Sequence, residues 1–148
     1  MIALVADNVL YKYDKFARTV KKFVYDPQYR LVTLTPDQKH IVAYSGNSST
    51  TYLLDWSGAI VADQQLTASS TPNSFVFSEN GTVLTFITSG DMETPSMLYS
   101  WNLTTDVLTE EKRPAILKVL PYSQLMIDDA GKPYLYYLKG TDSKRVPL

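Results

Sequence analysis

The stretch LVTLTPDQKHIVAYSG, residues 31–46, decides how the rest of the chain is read. An apolar run leads into a polar turn, Thr35-Pro36-Asp37-Gln38-Lys39, and a second apolar run closes on Gly46. Both runs are too short for helices, and their Val, Leu, Ile, Thr and Tyr content favours extended backbone. Pro36 presets φ for the turn, and Asp37 can bond its own backbone. The same plan returns as FVFSENGTVLTFITSG (75–90), turning at Ser78-Glu79-Asn80-Gly81-Thr82, and as LMIDDAGKPYLYYLKG (125–140), turning at Asp128-Asp129-Ala130-Gly131-Lys132. The closing glycines Gly46, Gly90 and Gly140 stand 44 and 50 residues apart.

A second hairpin alternates with the first: VLYKYDKFARTVKKFV (9–24), TYLLDWSGAIVADQQL (51–66) and SMLYSWNLTTDVLTEE (96–111). Its strands join through Asp14-Lys15-Phe16, Asp55-Trp56-Ser57-Gly58 and Asn102-Leu103-Thr104-Thr105-Asp106. Pro27, Pro72 and Pro121, 45 and 49 residues apart, mark each passage from the second hairpin to the next copy of the first. Nowhere do apolar residues recur at helical spacing. Phe16–Tyr25 comes nearest, through its Lys and Arg content, but Val20, Phe23, Val24 and Tyr25 favour a strand there too. The chain is therefore predicted to be all-β.

A repeat of about 40–50 residues holding four strands is the pattern of a β-propeller blade. The first turns resemble the SPDG turn of TolB-like, YVTN and WD-repeat blades, and Leu54-Asp55 and Trp101-Asn102 resemble their D-x-x-x-G hairpin; the Gly-His and Trp-Asp signatures of WD repeats are missing. The resemblance spans nearly the whole chain and implies a propeller-like architecture without implying any chemistry. With blade strands lettered A to D from the inside out, the sequence predicts a single domain over 1–148. It reads as a partial blade over 1–26, repeats over 27–71 and 72–120, and a partial blade over 121–148 that ends on an A–B hairpin. That amounts to about three four-stranded blades, whereas closed propellers usually have about 4–8. Three arrangements stay open. Two copies could close one ring, the chain could be an arc of a larger assembly, or the strands could form a β-sandwich or irregular barrel. Met1 suits a complete product, and the short blade count suits a piece of one.

Composition narrows the chemistry. The 148 residues are 45% hydrophobic, enough for a sizeable core, and the formal charge of −1 makes the whole chain no magnet for nucleic acid or anionic membrane. With no cysteine, disulfides, Cys-ligated zinc and thiol catalysis are excluded. His40 is the single histidine, so a His-rich metal site or a Ser-His-Asp triad has almost nothing to work with; no Gly-x-Ser-x-Gly elbow is present, and His40 reads as a turn residue. No Gly-x-Gly-x-x-Gly or Walker loop is present, so no phosphate cradle is expected. The opening MIALVADNVLYKYDKF has too short an apolar run for a secretory core or membrane span, and the chain reads as soluble and made without a cleavable signal. Asp128-Asp129 reads as a turn former and Glu110-Glu111 as an outer strand. The basic stretch 12–30, holding Lys12, Lys15, Arg18, Lys21, Lys22 and Arg30, reads as a solvated edge strand whose lysines discourage stray pairing.

What remains are aromatic and amide side chains in the passages after the prolines: Tyr29, Asn73 and Tyr122. In propellers such passages share one rim, where Tyr and Asn can stack on and hydrogen-bond a ligand or partner. The sequence thus predicts a non-enzymatic structural or protein-interaction module without metal or cofactor, assembling with itself or within a larger complex. A bacteriophage virion or tail component would suit that character. The alternative is a lectin-like propeller that binds carbohydrate at its rim.

Overall fold

The protein is described as a computed structural model, covering residues 2–6, 8–67, 72–78, 80–88, 95–113 and 123–148. It falls into two compact units, Met1–Gln65 and Leu66–Leu148. Every regular element among the described residues is a β-strand, and every pairing is between consecutive antiparallel strands. In the first unit β1 (Ile2–Ala6), β2 (Val9–Asp14) and β3 (Thr19–Val24) form a three-stranded sheet. Next come β4 (Tyr29–Leu34), β5 (Ile41–Ser45), β6 (Thr50–Leu54) and β7 (Ile60–Gln65), a four-stranded one. The second unit reverses the order of sizes. There β8 (Pro72–Phe77), β9 (Val83–Thr88), β10 (Ser96–Asn102) and β11 (Val107–Arg113) form four strands, then β12 (Gln124–Ile127), β13 (Pro133–Lys139) and β14 (Asp142–Pro147) form three.

The last sheet differs from the A–B ending expected from the sequence, because β14 adds a third strand. Its sequence, Asp142-Ser-Lys-Arg-Val-Pro147, is polar and exposed along most of its length and lacks the apolar alternation that marks the other strands. Val146, opposite Leu135, is its contribution to the core. Gly140, at φ 67°, makes the tight turn that brings the strand back.

Sheets pack face to face within each unit. In the first, Leu10 and Phe23, cross-strand partners on β2 and β3, bury against Ile41, Ala43 and Leu54. In the second, Ile87 and Leu98 meet Leu125 and Leu135. Fully burying each such side chain contributes about 1.5–3 kcal/mol. The four-stranded sheets are buried on both faces along β5 and β9, the second face of β9 and β10 carrying Leu84, Phe86, Tyr99 and Trp101. Phe86 stacks on Tyr99 at 5.0 Å, and Phe75 meets the Phe86 edge at 5.4 Å. The strands β3, β7 and β11, each at a sheet edge, are largely exposed.

The repeated turns share one hydrogen-bond plan despite different residues. Where β4–β5, β8–β9 and β12–β13 join, Gln38, Gly81 and Gly131 occupy the left-handed region at φ 57°, 70° and 75°. Their N–H groups donate to the carbonyls of Thr35, Ser78 and Asp128 at 2.8, 2.8 and 2.9 Å. The side chains of Thr35, Ser78 and Asp128 in turn accept from the N–H of His40, Val83 and Lys132, so a hydroxyl and a carboxylate serve equally. Where β2–β3, β6–β7 and β10–β11 join, the side-chain oxygens of Asp14, Asp55 and Asn102 accept from N–H groups two to four residues on.

These turn bonds favour the charged carboxylate. Bonds from the Ala17 and Phe16 N–H groups hold Asp14 below the ordinary carboxylate value of 3.8. Asp37 is held down by the Lys39 N–H and the Thr35 hydroxyl, and Asp55 by the hydroxyl and N–H of Ser57. A pKa depressed in the folded state adds stability above the unfolded value, and that stability is lost as pH falls through the folded value. Urea midpoints should therefore decline below about pH 4, and Asp55→Asn, which keeps the acceptor but not the charge, should flatten that decline. The left-handed turn position gives a second expectation. Nothing lies within 4 Å of a Cβ placed on Gly131, so Gly131→Ala meets backbone strain alone. It should cost about 1–2 kcal/mol in thermal or urea unfolding, with Gly131→Asn costing less.

Candidate functional site

Of the three residues predicted to bind a ligand or partner, the structure describes the side chain of one. Tyr122 lies outside the described residues. Asn73 lies on β8, beside the register shift between Pro72 and Phe75, and only its backbone is described. Tyr29 opens β4 and lines a cavity of about 400 Å³ in the first unit.

That cavity is built by three segments: the end of β3, the passage to β4, and the β6–β7 turn. In the passage, Asp26 accepts from the Gln28 N–H through Oδ1 at 2.9 Å and from the Tyr29 N–H through its carbonyl at 2.9 Å, while Pro27 fixes φ between them. Tyr25 is tied down by its N–H on the Asn8 carbonyl at 3.0 Å and stacks on Phe23 at 6.3 Å. Tyr29 meets the edge of Tyr52 at 5.8 Å. Across the cavity Trp56 is anchored by Nε1, which donates to the Gln38 carbonyl at 3.1 Å. The Lys12 ammonium donates to the same carbonyl at 2.9 Å and lies 5.6 Å from the Trp56 ring centre. Gly58, at φ 87°, brings the turn against Phe23, where an added Cβ would stand 3.3 Å from the ring. Lys12, read from sequence as part of a solvated basic edge, is thus bonded to the turn of the neighbouring sheet; Lys21 and Lys22 are exposed on edge strand β3.

Sequence reasoning reached Tyr29 and missed Tyr25, Gln28 and Trp56. Trp56 had one signal, an indole inside a turn of otherwise polar residues. Tyr25 and Gln28 lie within two residues of Pro27, the proline that flagged Tyr29.

The remaining candidates are structural in their contacts. Asp128 spends Oδ1 on the N–H groups of Ala130 and Lys132. Glu111 pairs with Arg113 at 2.8 Å, an exposed carboxylate in a surface pair that contributes little, and Glu110 accepts from Thr67 at 2.8 Å. The His40 N–H is bonded to the Thr35 hydroxyl. A second cavity, about 510 Å³, lies in the other unit between the β8–β9 and β12–β13 turns. Its Ser78, Asn80 and Asp128 are engaged in turn bonds of their own.

No protein-family model matches the chain, and no curated protein sequence does. Solved structures do. Over 95% of this chain, virginiamycin B lyase from Staphylococcus aureus is 13% identical with a TM-score of 0.58, and a streptogramin B lyase is 14% identical with a TM-score of 0.57. A eukaryotic initiation factor aligns over 92% of the chain at 8% identity and a TM-score of 0.56. The chain spans about half the length of the two lyase structures, 49% and 48%. The neighbours are β-propeller proteins, and the fold of this chain is that of a partial β-propeller. Identities this low carry the fold and leave the lyase activity with the lyases.

Burial raises the Tyr29 phenol above its ordinary value of 10.0, and neighbouring Tyr52 and Asp26 add to the shift. Difference titration of the phenolate band between the protein and Tyr29→Phe should place the lost phenol above that value. Because folding favours neutral Tyr29, its contribution to stability should fade as pH rises through that titration.

Proposed function

We propose that this protein is a non-enzymatic assembly module, a partial propeller that associates with a second copy of itself through its first and last sheets. The observation that carries this reading is that each of those sheets has one face buried and, on the other, large apolar side chains left exposed, with Lys22 among them on the first sheet and Arg145, which lies over the Tyr134 ring, on the last. On the first sheet Leu10 and Phe23 point into the core, while the opposite face presents Tyr13, Val20 and Val24, the two valines 61% and 64% exposed. On the last sheet Leu125, Leu135 and Val146 point inward, while Met126, Tyr134, Tyr136 and Leu138 share the other face, with Leu138 67% exposed. Aliphatic and aromatic side chains in register across a sheet are what the buried faces of this chain carry, and leaving them in water forgoes the same burial energy. A chain with half the length of its propeller neighbours offers two such faces for further blades to cover.

Light scattering after size exclusion, at two concentrations, tests this. The expected species is twice 16.7 kDa, shifting toward the monomer on dilution, with Leu138→Lys or Val20→Lys weakening association at least about tenfold. A mass of 16.7 kDa at every concentration would overturn self-association.

A further inference from the structure

The cavity beside Tyr29 carries a further inference: we infer that it is a binding site for a neutral saccharide, bordered at Lys22 and Val24 by the open face of the first sheet. Its size, about 400 Å³, is within the range of small-ligand sites and matches one or two sugar rings. Its walls pair half-buried aromatic rings, Tyr25, Tyr29 and Trp56, with short polar groups, the arrangement a pyranose needs. The C–H face of a sugar carries slight positive charge and is drawn to the negative face of an aromatic ring, while its rim of hydroxyls requires hydrogen-bond partners.

Those partners are to hand. Asp26 uses one carboxylate oxygen on the Gln28 N–H, and its second oxygen has no bond among the described residues. The Gln28 side-chain oxygen takes a long 3.5 Å bond from Ser45, leaving both amide hydrogens as donors. Among the described residues the hydroxyls of Tyr25 and Tyr29 have no protein partner. Acceptor, amide donor and phenols thus line one concave surface, held by a passage whose backbone is fixed by Pro27 and the Asp26 turn bonds and faced by a Trp56 ring fixed through Nε1. Preorganisation of this kind lowers the ordering cost of binding.

Charge selects among ligand classes. Among the described residues the lining holds one cation, Lys22, and one anion, Asp26. A phosphate would need an excess of donors with positive charge, and a quaternary ammonium would need the anionic excess that strengthens an aromatic cage. A balanced, aromatic and amide-lined pocket suits an uncharged polyhydroxylated ring. Among the described residues the second cavity has no aromatic ring in its lining, and its Ser78, Asn80 and Asp128 side chains are engaged in turn bonds.

Tryptophan fluorescence reads this directly, because Trp101 is fully buried while Trp56 lines the pocket. The full chain is titrated separately with maltohexaose, cellohexaose and chitohexaose to about 10 mM, with choline and inorganic phosphate as charged controls. The expected result is a saturable change with at least one oligosaccharide and none with the controls. Gln28→Ala, an exposed position whose loss leaves the core intact, should weaken that binding about tenfold, and Tyr29→Ala should weaken it more. Tyr29→Phe, which keeps the ring against Tyr52, guards against a folding defect and should retain part of the affinity. No saturable change with any of the three sugars overturns the inference. So does saturation by choline or phosphate, or sugar binding that Gln28→Ala and Tyr29→Ala leave unchanged.

Discussion

Leu10 and Phe23, paired across β2 and β3 and seated on Ile41, Ala43 and Leu54, represent the contact on which the rest of the molecule depends. A sheet with one apolar face has to bury that face against another element. Each sheet here supplies every second residue of its strands to a neighbour, and Ile87, Leu98, Leu125 and Leu135 repeat the arrangement in the second unit. The alternation of buried and outward-facing residues along the inner strands follows from that one demand. It also makes the first and last sheets unusual, since the same alternation that buries Leu125 and Leu135 turns Met126, Tyr136 and Leu138 outward.

The turns show how loosely a sequence can specify a fixed geometry. Three residue sets, Thr35 to Lys39, Ser78 to Thr82 and Asp128 to Lys132, place an oxygen-bearing side chain first and a left-handed residue three positions later. Gln38 holds that position without being glycine, and its carbonyl is where both Lys12 and Trp56 donate. A local turn therefore also ties the first sheet to the second and fixes one wall of the Tyr29 cavity.

Most of this fold could be read from residue order because the decisive signals are local. Short β-branched and aromatic runs, Asx residues at hairpin starts and prolines at a shared spacing each act within a few residues. What escaped is what depends on distant contacts. β14 is polar over most of its length and becomes a strand because β13 offers it an edge and Leu135 offers Val146 a partner. Lys12 looked like a surface cation because nothing in its neighbourhood of sequence announces Trp56 or Gln38. Tyr29 was legible through Pro27, whereas its partnership with Trp56 is a matter of tertiary packing.

The absence of cysteine from the chain makes the central claim, that the open face of the first sheet meets the open face of the last, directly accessible. Single variants Val20→Cys and Leu138→Cys, mixed in equal amounts and oxidised gently, report which faces meet. The account predicts a dominant cross-link between the two different variants, with little between identical ones. Cross-links only between identical variants, or none, would contradict it.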